Sequence, residues 1–381
     1  MIFLKNDNHF FVSPLGGENT CPLLFTIFKC GRRARGVYKN SWVRVFIRNI
    51  FAGVIIFLVS ITAVQGQNFF PILGGQRVGT SIFTFLKIGV SARAVGMGEA
   101  VVALQQDAAS VYYNPGAIAQ FEQTEFSASR IQWPADINYD FFSVTTKLKG
   151  RHYAGLSFGI LHMAPMMETT EYLPHGTGNY FVFQDRFIAL TYGARMTDRF
   201  SFGITLKQVE EDLAGQTMST VMLDMGTFYW TGFRSLRFSA SISHFGPQTQ
   251  PRGTYEKQVL DTETGEEKTV MTEFESFSPP TVFRVGAAMD IWQTERQSIL
   301  FALQLNHPVD NAENISTGLE YNFAKMFFLR GGYKINKEEE NVSFGAGLII
   351  PMGKLKLRVD YAYANFNHLS DPQRVSIGLA F

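Results

Sequence analysis

The chain ends on Arg374-Val-Ser-Ile-Gly-Leu-Ala-Phe381, and the reading of this stretch decides the fold. Arg374, Ser376, Gly378 and Ala380 share one parity, while Val375, Ile377, Leu379 and the terminal Phe381 share the other. Successive side chains of a strand point to opposite faces, so the stretch reads as a strand with one apolar and one polar face. Working backward, the same alternation recurs about fourteen times as far as Thr124, with no helical stretch to cover the apolar side. A sheet that is greasy on one face throughout needs lipid against that face. The pattern points to an all-β fold, a transmembrane antiparallel β-barrel of about 14 strands with lipid outside and water inside.

Strands are expected near residues 124–133, 139–149, 151–161, 185–196, 199–209, 219–230 and 234–245. Others are expected near 279–291, 296–306, 313–323, 325–335, 341–350, 353–363 and 372–381. Each approaches the ~9–11 residues that a tilted membrane strand needs. The connections alternate in length. Tight turns at Lys149-Gly150, Thr197-Asp198, Thr231-Gly-Phe233, Gln293-Thr-Glu295, Ala324 and Met352-Gly353 alternate with long polar loops near 162–184, 210–218, 246–278, 307–312, 336–340 and 364–371. Short turns at one rim and long loops at the other are the asymmetry of bacterial outer-membrane barrels, with the short turns periplasmic.

Parity also assigns the charges. Lys147, Arg195, Lys207, Asp224, Arg237, Arg284, Asp290, Glu320, Arg330, Lys334, Lys356, Arg358 and Asp360 all fall on the inward face. A Lys or Arg turned to lipid at the midplane costs ~2–4 kcal/mol, so several misplaced ones would rival a folding stability of ~5–15 kcal/mol.

Composition agrees. Mean hydropathy of +0.00 is too low for a helical membrane bundle and suits strands that are half polar. A net charge of +1 offers no basic field for nucleic acid. The only cysteines, Cys21 and Cys30, precede the strand region, which therefore has neither a thiol nucleophile nor a thiolate zinc site. The histidines are scattered without metal spacing, and no cofactor is expected.

Residues 43–66 read as a signal peptide: Arg44 and Arg48, then an apolar run from Ile50 to Ala63, then Val64-Gln-Gly66 before Gln67. The run falls short of the ~20 residues a spanning helix needs. Residues 1–42 are an unusually long lead, and a start at Val43 from a GTG codon would account for them. Residues 67–123 differ in kind, with Gly-rich pieces and small residues, and are too short for an independent domain. They are expected to fold as a plug within the barrel of residues 124–381.

The sharpest local feature is Ser91-Ala-Arg-Ala-Val-Gly-Met-Gly-Glu-Ala-Val-Val-Ala-Leu-Gln-Gln-Asp-Ala-Ala-Ser-Val-Tyr-Tyr-Asn-Pro-Gly-Ala-Ile-Ala119. On this stretch the chain resembles the PorV/PorQ family of bacterial outer-membrane proteins and, more distantly, FadL-type transporters. It departs at Tyr113-Asn-Pro-Gly116, where many relatives carry Asn-Pro-Ala. The resemblance implies a fourteen-stranded barrel with the N-terminal segment inside it, and a part in type IX secretion. Ser91, Arg93, Gly96, Gly98, Glu99, Asp107, Asn114 and Pro115 form the plug motif. Gly96 and Gly98 permit close approach or positive φ, and Asn114-Pro-Gly116 makes a turn. Arg93, Glu99 and Asp107 are placed to pair with wall charges.

Two strings resemble catalytic signatures without their context. Gly155-Leu-Ser-Phe-Gly159 lies mid-strand, where a nucleophile elbow needs a strand-to-helix turn. Gly96-Met-Gly98 lacks the third glycine and the βαβ frame of a dinucleotide site. The acidic runs 261–267 and Glu338-Glu-Glu340 read as solvated loop charge, and Met163, Met166 and Met167 as the start of another outer loop, with a flexible apolar contact surface for a partner as the lesser reading. No enzyme is expected. The main expectation is a secretion-associated barrel meeting exported proteins and secretion components in the outer membrane. The alternative is a FadL-like route for hydrophobic molecules, in which Lys147, Arg195, Lys207, Arg284 and Lys334 would meet an acidic head group in the lumen.

Overall fold

The computed structural model describes residues 79–381 except 106, 261–266 and 338. The signal-peptide and upstream-extension readings, and the start of the plug segment, therefore lie outside the described residues.

Fourteen strands close into one antiparallel barrel. They are β1 (Glu125–Trp133), β2 (Ile137–Lys147), β3 (His152–His162), β4 (Phe183–Arg195), β5 (Phe200–Leu213), β6 (Gln216–Trp230) and β7 (Arg237–Phe245). Then follow β8 (Val282–Gln293), β9 (Gln297–Pro308), β10 (Asn314–Phe323), β11 (Phe327–Ile335), β12 (Glu340–Met352), β13 (Leu355–Phe366) and β14 (Gln373–Ala380). Each pairs with its sequence neighbours. The seam closes between β1 and β14 in the register Glu125↔Ala380 through Gln132↔Gln373, and the Phe381 amide extends it to Thr124 O at 3.0 Å. No strand edge is left within the ring, which removes the unpaired backbone groups that lipid cannot satisfy.

The two parities separate as the sequence requires. Leu156, Leu190, Leu206, Phe344 and Ile377 are exposed on the outside, while Ser157, Thr191, Thr205, Ser343 and Ser376 are buried inside. In β3 this places Ser157 inward between the outward Leu156 and Phe158, in unbroken strand. Among the described residues no helix is long and apolar enough to cross a membrane; the strands do the crossing.

The connection near 210–218 differs from its expected form. The polar residues from Glu210 onward do not loop: β5 and β6 run 14 and 15 residues and meet at Ala214-Gly215, both at positive φ. Two residues of positive φ form a tight hairpin turn whose twist suits antiparallel strands. The polar side chains simply extend the hairpin above the membrane, where no apolar face is needed. The loops after β3 and β7 carry small hairpins of their own, Met166–Met167 with Tyr180–Phe181 and Thr254–Leu260 with Glu267–Glu273.

Residues 80–121 lie within the ring. A 3₁₀ turn at Thr84–Lys87 leads to α1 (Ala92–Gly96), α2 (Ser110–Tyr113) and a second 3₁₀ turn at Pro115–Gln120. The segment starts at the long-loop rim, where Ile82 N donates to Ser278 O at 3.2 Å and Ser81 and Lys87 both bond Asp310. It ends at the short-turn rim, where Gln120 donates to Ser201 Oγ at 2.9 Å and accepts from Trp230 Nε1 at 2.9 Å. Its apolar side chains, with inward Phe141, Phe187 and Val209, make the main hydrophobic core.

Candidate functional site

The inner segment is seated on bare backbone at two places. On one side Gly96, Met97 and Gly98 lie against Gly345, Gly318 and Gly332 respectively, in β10 to β12; a Cβ on Gly96 would meet Gly345 Cα at 3.0 Å. Gly98 also holds φ +61°, a region an L side chain rarely adopts, and its amide donates to Ser343 Oγ at 3.2 Å. On the other side Gly116 lies against Gly226 of β6, where a Cβ would meet the Gly226 carbonyl oxygen at 2.7 Å. Asn114 fixes this second seat. Its side-chain oxygen accepts from Gly116 N at 2.9 Å, and its Nδ2 donates to Val102 O at 2.8 Å and Thr227 O at 3.0 Å. Pro115, at the start of the turn, gives up no hydrogen bond there because that N–H has no partner in any case.

Between the seats, buried charges tie the segment to the wall. Arg93 binds Glu320 with both carboxylate oxygens engaged, at 2.9 and 2.7 Å. Arg330 adds a third bond to Glu320 at 2.7 Å and reaches Asp360 at 2.7 Å. The chain Arg93–Glu320–Arg330–Asp360 is nearly dry, so each charge depends on its neighbours. Asp107 accepts from Ala109 N at 3.0 Å and faces Arg358 at 3.8 Å. Burial pushes its carboxyl up, against the pull of Arg358. Arg195 donates to Ala119 O at 2.7 Å, and Arg237 to Ala103 O at 3.0 Å and Asp290 at 3.4 Å. Lys147 stands apart, exposed at the short-turn rim, 5.9 Å from the Tyr153 ring centre. Ser91 is buried with no partner for its Oγ among the described residues, and the Phe381 ring is exposed on the rim of the seam.

Toward the long-loop rim the packing leaves a cavity of about 360 Å³. Leu86, Ile88, Tyr112 and Tyr113 of the inner segment give it an apolar side, continued by Val282 and Pro308 of the wall. Arg284, Lys334, Lys337 and Glu99 also line it. Lys334 is neutralised by Glu99 at 2.8 Å and Glu340 at 2.7 Å. Burial works to raise the Glu99 carboxyl, but Lys334 and then Lys337 overcome it and hold it at about 2. Arg284 differs. Its NH1 donates to Ser243 Oγ at 2.9 Å, and it makes no ion pair among the described residues.

Beside Arg284 lies His244. Lys207 Nζ sits 2.8 Å from Asp224 Oδ2 and 3.1 Å from His244 Nδ1, all three side chains fully buried. An ammonium can only donate, so Nδ1 accepts and the ring proton resides on Nε2. That Nε2–H is fully buried with no acceptor among the described residues, although other atoms of His244 line the cavity. The cavity thus pairs an apolar side with a guanidinium that has no ion partner among the described residues.

Of the charges that parity and the plug motif single out, the structure gathers Glu99, Arg284 and Lys334 around this cavity, and Arg93, Glu320 and Asp360 in the ion chain. Sequence reading passed over His244 and Gln304, whose Oε1 accepts from Val101 N at 2.9 Å and Val102 N at 2.8 Å. It also took Glu340 for solvated loop charge, whereas Glu340 is buried against Lys334. Among the described residues no three His, Cys, Asp or Glu side chains gather as metal ligands.

No protein-family model matches the chain, and no curated protein matches it. Among solved structures it is similar to the Pseudomonas putida toluene transporter TodX, at 11% identity over 77% of this chain and 97% of that one, with a TM-score of 0.50. The CymD monoaromatic hydrocarbon channel gives 12% identity, coverage of 77% and 96%, and a TM-score of 0.49. A Pseudomonas aeruginosa FadL homologue gives 9%, 77% and 98%, and 0.45. At such identities it is the barrel architecture that is shared. The PorV/PorQ resemblance rests on the motif stretch alone.

Proposed function

We propose that this protein is a bacterial outer-membrane barrel that admits hydrophobic small molecules bearing an oxyanion, and that it is not an enzyme. The cavity carries this reading: its apolar side comes from Leu86, Ile88, Tyr112 and Val282, and its cationic end from Arg284, whose guanidinium makes no ion pair among the described residues. A cavity with one greasy side and a few convergent polar groups suits a ligand with an apolar body and a polar end. TodX, which shares the architecture, is described as a toluene transporter, and this supports the transport class. In this reading residues 43–66 are a cleaved signal peptide and residues 67–123 are the plug that shapes the ligand path.

Decanoate and decanol, titrated against the protein in non-ionic detergent, test the reading. Decanoate should bind, and Arg284→Gln should weaken it by about tenfold or more, since a bond to a charged group is worth ~1.5–3 kcal/mol. Absence of binding by either molecule would remove the transport reading.

A second reading has its own support. The hairpins after β3 and β7 stand beyond the barrel, and the first exposes Met167, Tyr172, Leu173 and Tyr180. A PorV/PorQ-like role in type IX secretion would use such a surface to meet exported proteins or secretion components. Mild-detergent capture from native outer membranes, repeated after removal of residues 164–181, tests it: secretion components retained only by the intact loop would favour this role.

A further inference from the structure

Charge is segregated between the two rims. Each of the six connections at the short-turn rim carries an exposed cation: Lys149, Arg199, Arg234, Arg296, Lys325 and Lys354. In the long connections 163–182, 246–281, 309–313, 336–339 and 367–372, acids outnumber Lys and Arg severalfold. A rim that merely needed water would mix the two signs.

The basic ring is largely unneutralised. Lys149, Arg234, Arg296, Lys325 and Lys354 make no ion pair among the described residues, and the Arg151–Asp198 pair at 2.9 Å takes up one of the few acids nearby. The ring also sits at a defined depth. Leu148, Met196, Phe233, Trp292, Phe327 and Leu355, within a few residues of these cations, are exposed apolar side chains that close the greasy belt. The Arg234 guanidinium lies 5.6 Å from the centre of the exposed Phe233 ring, so this cation sits directly against the apolar belt. The cations therefore occupy the level where hydrocarbon gives way to lipid phosphates.

We propose that the short-turn rim is an annular binding surface for anionic phospholipid. Lys and Arg near a negative lipid surface gain attraction that adds up residue by residue and falls off within a Debye length. The distribution favours lipid over a protein partner: a docked protein meets a patch, whereas these cations come from every connection around this rim. With the short turns periplasmic, the surface would face the inner leaflet of the outer membrane.

Trp292, outward-facing at the end of β8, reports on this annulus. The full chain is reconstituted in phosphatidylcholine vesicles containing the same mole fraction of either brominated phosphatidylglycerol or brominated phosphatidylcholine. The brominated anionic lipid should quench Trp292 more strongly, as a local preference of at least about threefold. That preference should vanish in Trp292→Phe, shrink in 1 M salt, and fall to unity in Arg234→Gln/Arg296→Gln/Lys325→Gln/Lys354→Gln. Unheated gel migration confirms that this variant is folded; should it not be, Arg296→Gln/Lys325→Gln serves with a partial loss expected. Equal quenching by the two lipids in the unmodified protein, or a preference that survives the substitutions, overturns the proposal. Equal quenching together with an acidic periplasmic protein that binds the unmodified rim and not the variant would assign the ring to that protein instead.

Discussion

At the residue scale the structure turns on buried charges that cannot be removed singly. Glu320 holds two guanidiniums, and Glu320→Ala would leave Arg93 without an ion partner inside the lumen. Breaking a buried pair from one side costs ~3–5 kcal/mol, so the urea midpoint should fall sharply. Arg93→Met/Glu320→Leu, which removes two partners but leaves Arg330 with Asp360, should recover part of that loss. Gly98→Ala combines strained φ with a Cβ 2.9 Å from Thr317 O, and should destabilise by more than the ~1 kcal/mol of an ordinary glycine substitution. Glu99 supplies a pH signature. Its carboxyl, ordinarily near 4.5, is held at about 2, so its contribution is complete above 4.5 and is lost as pH falls toward 2. The stability gap between the unmodified protein and Glu99→Gln, followed by urea unfolding, should be constant from pH 7 to 5 and close below pH 4.5.

At the element scale, strand identity was legible in the sequence because lipid punishes every misplaced charge. Lys207, Arg237 and Asp360 could be assigned inward by counting alone. What counting misses is a bulge. The register between β6 and β7 shifts between Leu223 and Met225, and His244 adopts φ +61°. Ser243 and His244 then both face inward and Phe245 turns out to lipid. The signal was present, since strict alternation would have put Phe245 in the lumen and His244 in hydrocarbon. The extended hairpin at Ala214-Gly215 escaped for another reason: above the membrane both faces are wet, so alternation stops carrying information. The Thr254–Glu273 hairpin pairs only with itself, and replacing residues 252–275 by a short turn should leave heat-modifiable gel migration unchanged.

At the scale of the molecule, the sequence indicated a barrel and an unusual leading segment but not how the two fit. The glycines of β6, β10, β11 and β12 read as weak strand positions until Gly116, Met97, Gly98 and Gly96 are seen to rest on them. Removing residues 80–121 would strip the lumen of its filling. A variant lacking them should be less stable and should pass ions through planar bilayers at a conductance the intact chain does not reach.

The seating of the segment against bare backbone on opposite walls constrains how the molecule is put together. A finished cylinder offers no way to slide a folded insert past carbonyl groups at van der Waals distance, nor to form a dry Arg93–Glu320 pair at its middle afterward. That geometry favours nesting the leading residues against the growing sheet before the first and last strands zip together, which would make the seam the final stitch of assembly.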